Sequence, residues 1–376
     1  KLDELLRVEN QKKPAAKAPE TLKESYGYGA SFINFDKFSN VIPDTSSEMM
    51  PPERLTRIEK AVSILRDIDT YFKHDSVSVI AQNLNGRVIE DWANFFPHSN
   101  ILIADKRIIC SEAQNAFETH MASMAKLLSA IRIALLEVED RYISDIHDVY
   151  FSHFDWRSFT DDEMALCPPV LLITTADELM QHSLTEFSRL LASHKPIKTV
   201  VIKSHVQIIH HAESMAQAQF SFSQELGALA VSHRNAYVFQ STTIHPNSLH
   251  EGFLRGLSSF SPALFYILSP KDDSFGNAYA WAGSALESRA FPEFTYDQRR
   301  GVQWGSRFNV EKNPQADKDW PEYELNLMAE GDKKSTVSVP FTFADFASQD
   351  SFFAEHFFDV PPQFWSDDLV LYSDYL

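Results

Sequence analysis

Two short stretches carry the residue types that binding chemistry needs. Thr174-Thr175-Ala176-Asp177 and Lys203-Ser204-His205 each follow a continuous run of β-branched and apolar residues, Val170 to Ile173 and Thr199 to Ile202. Hydroxyls, a carboxylate, an ammonium and an imidazole at the ends of two neighbouring strands could hold a phosphate, a metal ion or both. The candidate binding residues are Thr174, Thr175, Asp177, Lys203 and His205. Neither stretch contains glycine, so neither has the freedom of φ that lets a turn wrap closely round a phosphate. The position suits a cofactor and the chemistry does not.

A βαβ unit between Cys167 and Ala212 must position these residues. Continuous apolar strands are the mark of a parallel sheet covered on both faces. Between them Leu179, Leu184, Phe187, Leu190 and Leu191 recur at helical spacing. A right-handed crossover lays that helix on the sheet, and ligands of open α/β sheets sit at the carboxyl ends of the strands.

Three further constellations read as structural. His205, His210 and His211 with Glu213 could suggest a metal cluster, but no two of these histidines are four apart, the spacing that shares a helix face. Ser232-His233-Arg234 could suggest acid–base work, yet it sits at the entry to a predicted strand without a placed nucleophile. Asp161-Asp162-Glu163 is simplest as a solvated turn.

A chain of 376 residues can bury a sizeable core, and its net charge of −18 argues against nucleic acid or an anionic membrane as partner. The two cysteines, Cys110 and Cys167, cannot supply an iron–sulfur cluster, which takes about four thiolates, and they fit a reducing cytoplasm. No apolar run approaches the roughly 20 residues needed to cross a bilayer, and no signal-peptide core opens the chain. With Lys1 rather than methionine first, we expect a processed or truncated piece of something longer.

In chain order, residues 1–25 read as a flexible linker and 26–145 as an N-terminal α/β extension. The extension holds a helix opened by Pro51-Pro52, short strands at Ser76–Ala81 and Asn100–Ala104, and a long helix from Ser111 to Glu139. Residues 146–376 form the main α/β domain. After the central unit we expect helices over 216–230, 246–257 and 277–290, strands over 236–239 and 263–268, a hairpin of YELNLM with STVSVPF, and a last helix over 343–358. Phe343, Phe346, Phe352, Phe353, Phe357, Phe358 and Trp365 crowd the C-terminus, which suggests a homo-oligomer or protein partner there.

The blocks LLASHKPIKTVVI, SHRNAYVFQSTTIHPNSLHEGFLRGLSSFSPALFYILSP and ALESRAFPEFTYD resemble the thiamine-diphosphate-binding region of the pyruvate (2-oxoacid) ferredoxin/flavodoxin oxidoreductases. The likeness covers about residues 145–358. It implies a thiamine-diphosphate-binding fold in which a Gly-Asp-Gly turn after one strand and an Asn-containing turn after the next hold Mg²⁺ and the diphosphate. In this chain Ala176 falls at the aspartate position, with Asp177 one residue on, and Ile209 falls where the metal-binding Asn would be. Isoleucine offers no lone pair to a hard cation. The resemblance also covers only the diphosphate-binding half of such an enzyme, and the glutamate-bearing pyrimidine half would need another chain.

The sequence therefore predicts a doubly wound, mostly parallel α/β sheet with an N-terminal extension and a C-terminal β-hairpin plus helix. The expected function is that of a catalytically degenerate relative acting as a structural or interaction protein, with no cofactor. The alternative is a cofactor-binding subunit of an active 2-oxoacid oxidoreductase completed by another chain. Thiamine diphosphate and Mg²⁺ would then bind near Asp177.

Overall fold

The computed structural model describes residues 1–11, 49–72, 77–82, 99–204, 225–269, 275–329, 333–349 and 360–370. The chain forms two compact units, residues 1–74 with 120–167 and residues 75–119 with 168–376.

The first unit is helical. Leu2–Gln11 is a helix, α1, where the sequence predicts linker over residues 1–25. Leu2 and Leu6 share one of its faces and pack with Ile58 and Val62 of α2 (Pro52–Arg66). Pro52 sits in the first turn of α2, where its missing N–H costs nothing. The long helix α3, Ile109–Val138, gives its last part to this unit, and Ala134 joins the same cluster. Two short helices follow, α4 (Ser144–Ser152) and α5 (Asp161–Ala165). Asp161, Asp162 and Glu163 are the first turn of α5, where carboxylates meet the positive end of the helix. Thr160 and Glu163 cap that turn reciprocally, and Arg132 holds the Glu163 carboxylate at 2.5 Å.

The second unit is an α/β fold with a mostly parallel sheet. Its strands are β1 (Val77–Gln82), β2 (Ser99–Ala104), β3 (Val170–Thr175), β4 (Lys198–Lys203), β5 (Tyr237–Thr242), β6 (Ala263–Leu268), β7 (Phe294–Tyr296) and β8 (Phe308–Asn309). They lie in the order β2-β1-β3-β4-β6-β5-β7-β8, with β1 to β6 parallel and β7 and β8 antiparallel. The boundary expected at residue 145 is crossed, because β1 and β2 belong to the same sheet as β3. The β1 connection runs outward to β2 and the β3 connection runs the other way to β4, so strand order reverses between β1 and β3.

Helices cover both faces. After β3 a helical run passes through a π-helical turn at Leu179–Ser183 into α6 (Leu184–Ala192), and the Ser183 hydroxyl bonds to the Lys106 carbonyl beyond β2. On one face α7 (Leu226–Ser232) packs so tightly that a Cβ on Gly227 would meet Gln240 Oε1 at 2.6 Å. On the other face lie Tyr237, Phe239 and Phe265, covered by Leu249 and Phe253 of α8 (Pro246–Leu257). Gly252 and Gly256, one turn apart, let α8 approach; a Cβ at Gly256 would sit 2.5 Å from the Phe265 ring. Helix α9 (Phe275–Glu287) follows β6.

The predicted hairpin is present as an antiparallel pair, β9 (Glu322–Ala329) and β10 (Lys333–Pro340), separate from the main sheet. The last helix is described as α10, Phe343–Ala347. Phe346 is buried against Trp281, whereas Trp365 is 67% exposed; Phe352, Phe353, Phe357 and Phe358 lie outside the described residues. No helix among the described residues is long and apolar enough to cross a membrane.

Candidate functional site

The structure brings four of the five sequence-predicted residues to one edge. Thr174 and Thr175 end β3 and pair in register with Val201 and Ile202 of β4, and Lys203 is the next residue on β4. His205 lies outside the described residues, as do Ile209, His210, His211 and Glu213.

Each described candidate already has structural work. Thr174 is buried. The Thr175 hydroxyl accepts the Glu178 N–H and caps the helix that follows. Ala176 is 1% exposed, so its methyl is packed and not presented to solvent. Glu178 is shared by Lys106 at 3.4 Å and His182 at 3.5 Å. Asp177 acts on its neighbours through space, opposing the burial that lowers Lys203 and adding to the burial that raises Tyr266.

Lys203 departs most from expectation. Its side chain is 1% exposed, and its ammonium lies 5.4 Å from the centre of the Tyr266 ring and 5.5 Å from that of Phe291. Cations are attracted to aromatic faces, most strongly when water is excluded. Glu225 approaches the same nitrogen at 3.3 Å from the rim. Burial pulls the Lys203 pKa down, against the opposing pull of Glu225 and Asp177. The same burial, with Glu225 and Asp177 nearby, pushes the Tyr266 hydroxyl up. Tyr266 Oη is buried with no hydrogen-bond partner among the described residues. Lys203 thus fills the space beneath the strand ends.

This donor set does not fit a Mg²⁺-bridged diphosphate. Mg²⁺ requires a near-octahedral oxygen shell. The described edge offers the carboxylates of Asp177, Glu178 and Glu225, of which the last two already face Lys106, His182 and Lys203, together with the packed Ala176 methyl and a buried ammonium. Among the described residues no three His, Cys, Asp or Glu side chains converge on a metal-sized site.

A second group, missed by sequence reasoning, stands at the carboxyl end of β5. Glu293 is 2% exposed and accepts bonds from Ser241 Oγ at 2.6 Å and from Ser248 Oγ. His245, at the entry to α8, places Nδ1 3.3 Å from the same carboxylate. Asn313 fixes the Glu293 backbone from both sides, accepting its N–H at 2.8 Å and donating to its carbonyl at 2.6 Å. A histidine anchored through Nδ1 keeps Nε2 for proton exchange, and the His245 side chain is 34% exposed. Residues 245 and 293 are brought together only by the antiparallel return of β7, which no local spacing announces.

The remaining candidates are structural. His233 Nε2 lies 3.0 Å from Ser188 Oγ and ties the end of α7 to α6. Neither thiol is poised as a nucleophile, since burial pushes Cys110 up to about 12 and Cys167 up to about 11. No protein-family model matches the chain, and no curated protein sequence matches it.

Proposed function

We propose that the chain is a catalytically degenerate relative of the 2-oxoacid ferredoxin/flavodoxin oxidoreductases, with a thiamine-diphosphate-binding fold, acting through its surface as a structural or assembly protein of the cytoplasm. The observation that carries this reading is the burial of Lys203. Its ammonium lies over Tyr266 and Phe291 at the carboxyl end of β4 and has no lone pair to offer a metal ion. Ala176, buried at the end of β3, points the same way. The chemistry of such enzymes belongs to the cofactor, so a site that cannot hold it cannot run the reaction.

Two exposed aromatics in residues 360–370 support the surface role. Phe364 and Trp365 are each 67% exposed in a stretch that carries Asp367 and Asp368, a pairing of aromatic anchors and polar rim common at protein interfaces. Both cysteines are free, which suits a reducing compartment.

Native mass spectrometry of the protein purified without added cofactor tests the reading. A homo-oligomer or hetero-complex free of small molecules is expected. A mass increment of thiamine diphosphate plus magnesium, with a second chain supplying the pyrimidine half, would replace it with the enzyme-subunit alternative.

A further inference from the structure

At the amino edge of the main sheet, opposite the strand ends described above, a loop holds cations and apolar side chains in solvent. Strand β7 returns antiparallel to β5, which brings residues 297–307 beside the start of β5. The loop is closed by its own bonds. Asp297 N–H donates to the Arg307 carbonyl at 2.9 Å, Ser306 Oγ to the Arg300 carbonyl at 2.9 Å, and Arg307 Nε to the Gly301 carbonyl at 3.2 Å. Gly301, with φ at +92°, makes a turn that a side chain would strain. Fixed in this way, the loop still leaves Val302 96% exposed and Trp304 53% exposed. Arg299 ties it to the last turn of α8 by donating to the Arg255 carbonyl at 3.4 Å, and Leu254, Leu257 and Phe260 there are exposed as well.

The cations of this edge are short of acids. Asp297 is buried and taken by Arg299 at 2.9 Å. Glu251, one turn before Arg255 on α8, is met by Lys312 at 3.4 Å. Arg255, Arg300 and Arg307 have no carboxylate within ion-pair distance among the described residues. In a chain with 52 acidic residues against 34 basic ones, such a group runs against the composition.

We propose that this edge docks an acidic segment of another protein, one that carries apolar side chains between its carboxylates. The inference rests on the surface-acting reading above, and it names the chemistry of the partner. Guanidinium groups match carboxylates with paired hydrogen bonds, and Val302, Trp304 and Leu254 suit the apolar side chains of the same segment. The charge of the whole chain chooses among polyanions. A short segment meets only the charges within a Debye length, about 8 Å. A membrane, a nucleic-acid duplex or a second copy would bring a broad negative surface against a body that carries −18. A few arginines and one aromatic anchor make a contact smaller than a standard interface, so binding is weak, with a Kd on the order of 100 µM.

Fluorescence anisotropy of the full chain with a labelled, end-blocked glycine–serine peptide carrying aspartates, one phenylalanine and two leucines tests this. Calorimetry against magnesium and thiamine diphosphate runs in parallel. We expect saturable binding of the peptide. Arg300→Glu, Arg255→Glu and Trp304→Ala should each weaken it about ten-fold or more, as should replacing the peptide's aspartates by asparagines. Arg107→Glu, beyond β2 at the opposite edge of the sheet, makes the same change in net charge and should alter binding by less than about two-fold. No binding up to millimolar peptide, binding that the asparagine peptide keeps, or equal losses from Arg107→Glu and Arg300→Glu would each overturn the docking. Binding to phosphatidylserine vesicles in place of the peptide would overturn it in favour of a membrane surface, and self-association that Arg300→Glu abolishes would overturn it in favour of a second copy. Cofactor binding by a chain that still takes the peptide through Arg300 would leave the docking standing and defeat the closed-site reading instead.

Discussion

The carboxyl ends of β4 and β5 lie on the same edge of one sheet, yet they treat their polar residues in opposite ways. At β4, Lys203 is turned inward, stacked on Tyr266 and Phe291 and met by a single carboxylate from the rim. At β5 the buried group is an acceptor, Glu293, which two hydroxyls and a histidine serve, and the histidine remains partly open. A buried cation over aromatic rings closes a cleft. A buried carboxylate that orients a half-exposed imidazole holds one residue ready for solvent. Position at the ligand-binding edge of an α/β sheet thus does not by itself make a site; the direction each side chain takes decides.

The largest expected effect is at β5. Glu293→Ala would strand the hydroxyls of Ser241 and Ser248 and unseat His245, and we expect a loss of about 3–5 kcal/mol in urea unfolding with an unchanged m-value. A loss below about 1 kcal/mol would mean that the group is solvated and not a buried fastening.

Lys203 gives the sharper contrast. Lys203→Met fills the same space without a charge to desolvate, and should be neutral or stabilising by about 1–2 kcal/mol. Lys203→Ala should cost about 2–4 kcal/mol, because it leaves a cavity beside Tyr266 and Phe291. If the lysine lay in an open cleft, the two variants would be indistinguishable in thermal and urea unfolding.

The smallest effect is a slope. Lys198, at the opposite end of β4, is buried and donates to the carbonyls of Ser259 and Ser261, and burial, with Arg299 nearby, lowers it to about 7. The ordinary value of 10.5 applies unfolded, so between pH 7 and 10.5 the unfolded chain binds the extra proton. The penalty from this lysine is full below pH 7 and fades as pH rises toward 10.5. Between about pH 7 and 9 it should add up to about 1.4 kcal/mol of stability per pH unit, and Lys198→Met should remove that share of the slope. A variant with the wild-type slope would show that the ammonium stays charged in the fold.

Much of the framework was legible. Pro246–Leu257 and Ala263–Leu268 lie where the sequence puts them, because a proline opens the helix and an unbroken apolar run makes the strand. The hairpin followed from alternation on both sides of a polar turn. Helix α1 was hidden by the Lys/Pro/Ala-rich stretch after it, and Leu2 and Leu6 have meaning only once α2 supplies their partners. Thr174, Thr175, Asp177 and Lys203 were named from strand ends alone, and they stand at or just after the ends of β3 and β4. The inward turn of Lys203 was readable too, since a period of two from Thr199 and Val201 puts it on their buried face. The His245–Glu293 contact was not, because 48 residues and an antiparallel return separate its members.

The most direct test is calorimetric titration of the full chain with thiamine diphosphate in the presence of magnesium. A site closed by Lys203 predicts no saturable heat up to millimolar cofactor. Stoichiometric, magnesium-dependent binding, weakened by Asp177→Asn, would show that the edge still holds the diphosphate and would contradict it.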